Sequence, residues 1–242
     1  MNGKESAQNV LRTLPWFEGL PDQAFVQLAS QARVQRFPAG TVLFLQGETP
    51  DACYVALEGS VELYVTDPDQ KESLVEISNA PNAYTMAAVL TAAPYLVSCR
   101  TATTATMLMV DAPTLRSAVK EHAQLGLNLL GLICWQFRTM VRQVIGLKGK
   151  STSERLGCYL LALSTPEATT RKVTLPLDRK RLAAKLGMTT MSLSRAFKTL
   201  SEHGVELRGN IVTIKDPDML CAHSRPDHSI NEAERELRVL TD

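Results

Sequence analysis

The chain has 242 residues, 45% hydrophobic and 21% charged, with a formal net charge of +1. That composition excludes a disordered, collagenous or disulfide-stapled chain, and the length allows one or two domains. The near-zero net charge is a cancellation: residues 1–137 carry 8 Lys+Arg and 13 Asp+Glu, residues 138–215 carry 15 and 5, and residues 216–242 carry 3 and 7.

The N-terminal segment MNGKESAQNVLRTLPWF has no apolar signal-peptide core. Leu11 to Ala32 shows helical spacing broken at Gly19-Leu20-Pro21-Asp22, which predicts two short helices. From Arg33 to Asp111 the texture turns to short runs, TVLFLQ, CYVALEG, SVELYV and SLVEIS. Pro38-Ala39-Gly40, Gly47, Gly59 and Asp67-Pro68-Asp69 punctuate them, which predicts an all-β barrel or roll. The longest uncharged stretches, Ile77 to Cys99 and His122 to Phe137, are broken by Asn79, Pro81, Asn82, Pro94, Asn128 and Gln136, so no membrane span is expected. Cys53, Cys99, Cys134, Cys158 and Cys221 lie far apart. Free thiols in a cytoplasmic protein are therefore expected, and paired-cysteine zinc sites and cysteine-rich iron–sulfur sites are not.

Thr114 to Leu147 returns to helical spacing. Leu127, Leu130, Cys134, Phe137, Val141 and Val144 recur at steps of three and four, a coiled-coil-like seam, while Leu129, Ile133, Met140 and Leu147 form a second apolar face. One stripe can pack on the barrel while the other pairs with a second chain; a single wide core face is the alternative. Gly149, Lys150, Ser151 and Ser153 follow as an expected hinge. Residues 154–215 then read helix, strand, helix, turn, helix and a two-stranded wing turning at Gly209-Asn210.

The basic block suits a module that meets a polyanion, although charge alone does not separate it from a solvated basic surface. Within Arg179 to Lys198, Leu182, Leu186, Met188, Leu193 and Ala196 occupy the positions a helix-turn-helix buries. Ala183 is small where its helices cross, and Gly187 sits at the turn. Asp178 can cap the first helix and Thr189 or Thr190 the second. The second helix turns Leu193, Ala196, Phe197 and Leu200 inward, leaving Thr190, Met191, Ser192, Ser194, Arg195 and Lys198 outward. Base reading is assigned to Arg195, Ser194, Met191 and Thr190, with Arg195 suited to a bidentate grip on guanine. Phosphate contact is assigned to Thr189, Ser192, Lys198, Arg208 and Lys180.

These residues resemble the Crp/Fnr superfamily of transcription regulators over nearly the whole chain. Gly40-Thr41, Leu45-Gln46-Gly47-Glu48, Tyr54 and Glu58-Gly59-Ser60-Val61 are similar to its β-roll signature, and Ser194-Arg195 to its recognition helix. Leu14-Pro15-Trp16-Phe17 and Leu20 resemble the leader of its Fnr and nitrogen-oxide-responsive branches. LGMTTMSLSRAFKTLSEHGVEL most resembles the branch that controls denitrification genes. The resemblance implies an α+β fold: a cyclic-nucleotide-binding-like sensory β-roll with N-terminal helices (1–120), a dimerisation helix (121–148) and a winged helix-turn-helix (149–225). The acidic tail, 226–242, lies beyond the usual family end and carries a short helical pattern, Ile230, Ala233, Leu237 and Leu240. Homodimers on palindromic operator DNA, in contact with RNA polymerase, are implied partners; no membrane is.

Departures from the family narrow the signal. Where its cyclic-AMP-binding members hold ribose with Gly-Glu and phosphate with Arg-Ser, this chain has Tyr84-Thr85 and Tyr95-Leu96. Met140-Val141 replaces the hydroxyl pair that meets adenine. A phosphodiester buried there without a cation would be uncompensated, so cyclic AMP is not expected. The Fnr-type iron–sulfur cluster needs an N-terminal cysteine cluster, and the first cysteine is Cys53. Met191 stands where the family usually carries a Glu that reads cytosine; a thioether can pack on a thymine methyl instead.

Residues 77–110 carry one charge, Arg100. Two readings stay open: an apolar core with no ligand, or a pocket for a neutral effector, haem included, lined by Tyr84, Thr85, Met86, Tyr95, Leu96, Phe137, Met140 and Val141. Axial ligands for haem would come from Cys53, Cys99, Met86, Tyr84 and His122. No catalytic triad, phosphate-binding Gly loop or paired carboxylates emerge, so an enzyme is not expected. The leading reading is a DNA-binding regulator answering a signal other than a cyclic nucleotide, with nitric oxide among the candidates; an effector-independent or thiol-controlled DNA binder is the alternative.

Overall fold

The structure, a computed structural model, describes residues 3–165 and 170–226. The helical pattern expected at Ile230, Ala233, Leu237 and Leu240 lies outside the described residues. The chain divides into two compact units between Phe137 and Arg138, inside the long helix.

The first unit opens with α1 (Gly3–Thr13), a 3-10 turn at Pro15–Phe17 and α2 (Asp22–Ser30). The first helix thus lies upstream of the expected span. Pro15 has no N–H to give a helix interior, so Leu11 belongs to a helix that ends before it. Eight strands follow: β1 (Ala32–Phe37), β2 (Val42–Phe44), β3 (Ala52–Glu58), β4 (Ser60–Thr66), β5 (Glu72–Asn79), β6 (Asn82–Tyr84), β7 (Ser98–Thr101) and β8 (Ala105–Asp111). They form two antiparallel sheets, ordered β1-β8-β3-β6 and β2-β7-β4-β5. A short helix, α3 (Met86–Thr91), interrupts the expected all-β stretch between β6 and β7. Then come α4 (Ala112–Glu121), whose first turn is capped by the Asp111 carboxylate accepting from the Thr114 amide, and α5 (Ala123–Gly149).

Sheet β1-β8-β3-β6 is covered on both sides, which explains why β3 and β8 read as nearly continuous apolar runs. Cys53, Val55, Leu108 and Val110 face a core built with Leu11, Phe17, Leu28, Leu115, Leu125 and Leu129 from the helices. The alternate residues Tyr54, Ala56, Met107 and Met109 face a second core that includes Phe44, Val61, Tyr84, Tyr95 and Cys99 of the roll. A one-residue slip of β3 would exchange the two sets, so packing defines its register with β8, where Val55 pairs with Leu108 and Tyr54 with Met109.

Helix α5 buries Leu125, Leu129 and Leu132 against the first core, with Ile133 and Trp135 partly buried beside them. This corrects the expected packing face: Met140 and Leu147 are exposed, because the helix runs past the unit that Leu129 and Ile133 pack on. The seam residues Leu127, Leu130, Cys134, Phe137, Val141 and Val144 are all exposed.

The second unit contains α6 (Thr152–Leu163), β9 (Arg171–Thr174), α7 (Arg179–Lys185), α8 (Thr190–Ser201), β10 (Val205–Arg208), β11 (Ile211–Ile214) and α9 (Pro217–Ser224). The wing has three strands, ordered β10-β11-β9, rather than the two expected. Val173 of β9 pairs with Val212 and both are buried, which draws the third strand onto the sheet. Helix α9, also unexpected, packs on α6 at Gly157: a Cβ there would lie 1.9 Å from the Ser224 hydroxyl.

Candidate nucleic-acid interface

The helix-turn-helix is assembled by its caps and its core. Asp178 accepts a hydrogen bond from the Arg181 amide at 2.9 Å and starts α7. Of the two threonines able to cap α8, Thr189 does so, accepting from the Ser192 amide at 3.1 Å. Leu182, Ala183, Leu193, Ala196, Phe197 and Leu200 are buried in one core with Leu156, Leu160 and Leu220. Between the helices Gly187 has φ +62, and a Cβ added to it would meet Leu147 Cδ2 at 2.3 Å. Left-handed backbone costs a residue with a Cβ about 1–2 kcal/mol. Gly187→Ala is expected to destabilise the second unit by about that amount in denaturant unfolding followed by far-UV circular dichroism.

Met191, Ser194, Arg195 and Lys198 are exposed at helical spacing on one face of α8. Met191 is 64% exposed on that face. Thr190 is exposed and Ser192 half-buried; Lys180 and Arg208 are exposed on α7 and at the wing, Arg208 lying 3.9 Å from Glu206. The proposed base-reading residues therefore share one helix with the phosphate-contact residues Ser192 and Lys198, and Thr189 caps it.

The segment expected to be a hinge is tied down, which corrects the reading made from Gly149, Lys150, Ser151 and Ser153. Ser151 is an N-cap, not a flexible serine: its amide donates to Glu154 Oε2 at 2.6 Å while its hydroxyl accepts from the Glu154 amide. Lys150 Nζ donates to the carbonyls of Ser224 at 2.8 Å and Arg225 at 2.6 Å. The Arg155 guanidinium donates to four carbonyls: Leu186 at 3.0 Å, Lys150 at 2.9 Å, Leu147 at 3.3 Å and Gly187 at 3.4 Å. Sequence reading missed Lys150 and Arg155 as ties, although Ser151-x-x-Glu154 before an apolar run is a capping-box signal.

The Arg225 guanidinium, with help from the Ser151 amide and hydroxyl, holds the Glu154 carboxyl at about 2, well below its ordinary 4.5. A depressed folded-state pKa stabilises above the unfolded value, and that stability is lost as pH falls toward the folded one. The melting temperature of the second unit should therefore drop as pH falls below 4.5 toward 2, and Glu154→Gln should flatten that dependence.

The residues expected to line an effector pocket differ in burial. Tyr84 and Tyr95 are buried in the core between the sheets, and Met86 in the core under the helices. Thr85 is half-buried and donates to the Ala52 carbonyl at 3.2 Å. Leu96 is 85% exposed, and Phe137, Met140 and Val141 are exposed on α5. The Tyr95 ring lies 4.3 Å from that of Phe44, and its hydroxyl donates to the Ala52 carbonyl at 3.2 Å. Burial pushes the Tyr84 and Tyr95 phenols up, so both are neutral. Arg100 is engaged by Glu62 at 2.8 Å and Glu72 at 2.7 Å, with its guanidinium carbon over the Tyr64 ring.

Haem does not fit the candidate ligands. Cys53 and Met86 belong to one core, Tyr84 and Cys99 to the other, and His122 caps the end of α4. Burial pushes the Cys53 and Cys99 thiols up to about 12, disfavouring the thiolate that iron takes. Among the described residues no group of three or more His, Cys, Asp or Glu could hold a metal ion, and no helix is long and apolar enough to cross a membrane.

Comparison with known proteins gives the frame for this geometry. The family described as cyclic nucleotide-binding domain matches residues 34–122, and the Crp-like helix-turn-helix domain matches residues 154–223. A CRP-like cAMP-activated global transcriptional regulator of Mycobacterium tuberculosis is 24% identical over 214 residues, covering 86% of this chain and 96% of its own. A protein of Lacticaseibacillus casei named "Probable transcriptional regulator flp" is 28% identical over 209 residues, covering 86% of this chain and 94% of its own. The structure of a CooA variant from Carboxydothermus hydrogenoformans shares the fold with a TM-score of 0.67 at 18% identity, covering 86% of this chain and 92% of that one. With a cyclic nucleotide-binding domain matched in the first unit and a Crp-like helix-turn-helix domain in the second, the chain is a Crp-like transcriptional regulator, and the relatives it matches are transcriptional regulators rather than enzymes.

Proposed function

We propose that this protein is a cytoplasmic homodimer that binds a palindromic operator through α8, contacts RNA polymerase there, and answers a signal other than a cyclic nucleotide. The observation that carries the reading is the face of α8, where Met191, Ser194, Arg195 and Lys198 are exposed together above a helix-turn-helix core in which Leu182, Leu193, Ala196 and Leu200 are buried and Leu186 and Met188 half-buried. The exposed apolar seam from Leu127 to Val144 supports pairing of two chains, since a run of that length left in water is costly. Tyr84-Thr85 and Tyr95-Leu96 support exclusion of cyclic AMP. The Tyr95 phenol is neutral where a cation would meet phosphate, and Leu96 points out. The likeness of the reading segment to the denitrification branch makes nitric oxide the first gas to test, although no haem ligand set stands behind it.

The test is titration of a fluorescent operator duplex with the full chain. If about six to ten phosphates are neutralised, affinity should fall about 10³- to 10⁵-fold between about 50 and 200 mM salt. A flat response would contradict the reading. Added cyclic AMP should leave the affinity unchanged, and a clear increase would overturn that part of the proposal.

The packed core of Phe44, Tyr54, Tyr84 and Tyr95 favours a second reading, in which the roll takes no effector and control is thiol-based. The candidate thiols are Cys134, exposed on α5 in the single chain, and the half-buried Cys158 and Cys221. Operator affinity that responds to a mild thiol oxidant in the native chain and not in Cys134→Ser would select it.

A further inference from the structure

The C-terminal end of each helix leaves carbonyls without intrahelical partners, and two such ends meet at one side chain here. Leu147 lies in the last turn of α5, and Lys150 follows it; Leu186 closes α7, and Gly187 makes the turn into α8. Arg155, at the start of α6 and half-buried, donates to the carbonyls of all four. A guanidinium is well matched to these acceptors, because it presents five donors in a fixed fork and places positive charge at the negative ends of two helices. Leu147 adds a packing contact at the same point, against Gly187.

We propose that Arg155 is a positioning residue for DNA reading, locking the last turn of α5 to the helix-turn-helix so that they move as one body. Residues 138–149 of α5 already fall in the same compact unit as α6 to α9. The pivot for any motion of the reading helices then lies upstream of this lock, in α5 itself, and not in Gly149 to Ser153. The inference deepens the DNA-reading proposal, on which only its second readout depends.

The experiment compares full-length wild type, Arg155→Met and Arg155→Lys. The first readout is amide hydrogen exchange. In wild type the amides of Lys150, Leu186, Gly187 and Met188 are held by backbone bonds beside the guanidinium. In Arg155→Met these amides should exchange at least about tenfold faster, as loss of charge-assisted bonds requires, while those of Leu193 to Leu200 keep their protection. Arg155→Lys, with its charge but not its fork, should fall between. The second readout is the ratio of affinities for operators with native half-site spacing and with spacing lengthened by about two base pairs, a discrimination that depends on fixed half-site geometry. That ratio should shrink in Arg155→Met and recover partly in Arg155→Lys.

Unchanged exchange at either end of the lock overturns the inference. So does acceleration spread evenly through α8, which would mark Arg155 as general stabilisation. Wild type that binds no duplex would refute the DNA-reading proposal alone, and the exchange result would still decide the lock.

Discussion

Arg195→Ala should lower affinity for the cognate operator by about 5- to 150-fold, the range for one lost bidentate base contact, and should remove the preference for guanine at the contacted position. The side chain is exposed on the reading face, one turn beyond Met191, so its removal costs affinity without disturbing the core. Lys198→Ala separates the two kinds of contact. It should weaken binding to cognate and unrelated duplexes alike and shallow the salt dependence, because a phosphate contact carries no sequence information. A gel-shift series with cognate and scrambled duplexes distinguishes them. Equal losses on both duplexes for Arg195→Ala would move that residue from base reading to phosphate contact.

Phe197→Ala should have the largest effect on stability, about 3–5 kcal/mol, the usual cost of truncating a buried aromatic. The ring is 8% exposed in the core that joins α6, α7, α8 and the wing, so its removal loosens the whole reading unit. The two tryptophans, Trp16 and Trp135, both lie in the other unit, within residues 3–137. Tryptophan fluorescence should therefore report a nearly unchanged transition, while far-UV circular dichroism shows an early one from the second unit. A single coincident shift in both probes would mean that the units unfold together. Two-state analysis applies to each unit only if the two probes separate in this way.

The reading unit could be read from the sequence because its constraints are dense and local. Gly187, Ala183 and the spacing of Leu182, Leu193, Ala196 and Phe197 each answer to a turn or a crossing within about 20 residues, and the structure gives each residue the role its type suggests. The roll was readable in outline through Gly40, Gly47 and Gly59, all at positive φ. Helix α3 was not, since MAAVLT lies in a long uncharged run where apolar residues fit strand or buried helix equally well. The strand expected between the first two helices of the reading unit is RKVT, but its place in the wing was not legible, because only its pairing with β11 puts it there. The α5 seam was visible as a period. Which face packs on the roll was not, because that depends on where the other unit ends, a non-local fact.

The hinge failed for a related reason. Glycine and serines between two helices suggest freedom, but Ser151 caps α6, and Lys150 and Arg155 are held by carbonyls more than 30 residues away in sequence. Long polar side chains of this kind are anonymous in a sequence until the fold brings their partners to them. Among the proposed effector residues, Leu96, Phe137, Met140 and Val141 are exposed in the single chain, while Tyr84 and Tyr95 are buried in the core between the sheets. Two bulky phenols standing where the cyclic-nucleotide relatives keep their polar pairs are consistent with a roll whose interior is packed protein.

The most direct measurement is selection of duplexes bound by the full-length protein from a randomised pool, followed by sequencing. The predicted result is an enriched inverted repeat whose half-sites lie about one helical turn apart, each with a guanine that loses its enrichment when Arg195→Ala is used instead. A pool that stays random, or an enriched site without two-fold symmetry and with the same consensus for Arg195→Ala, would contradict a homodimer reading DNA through α8.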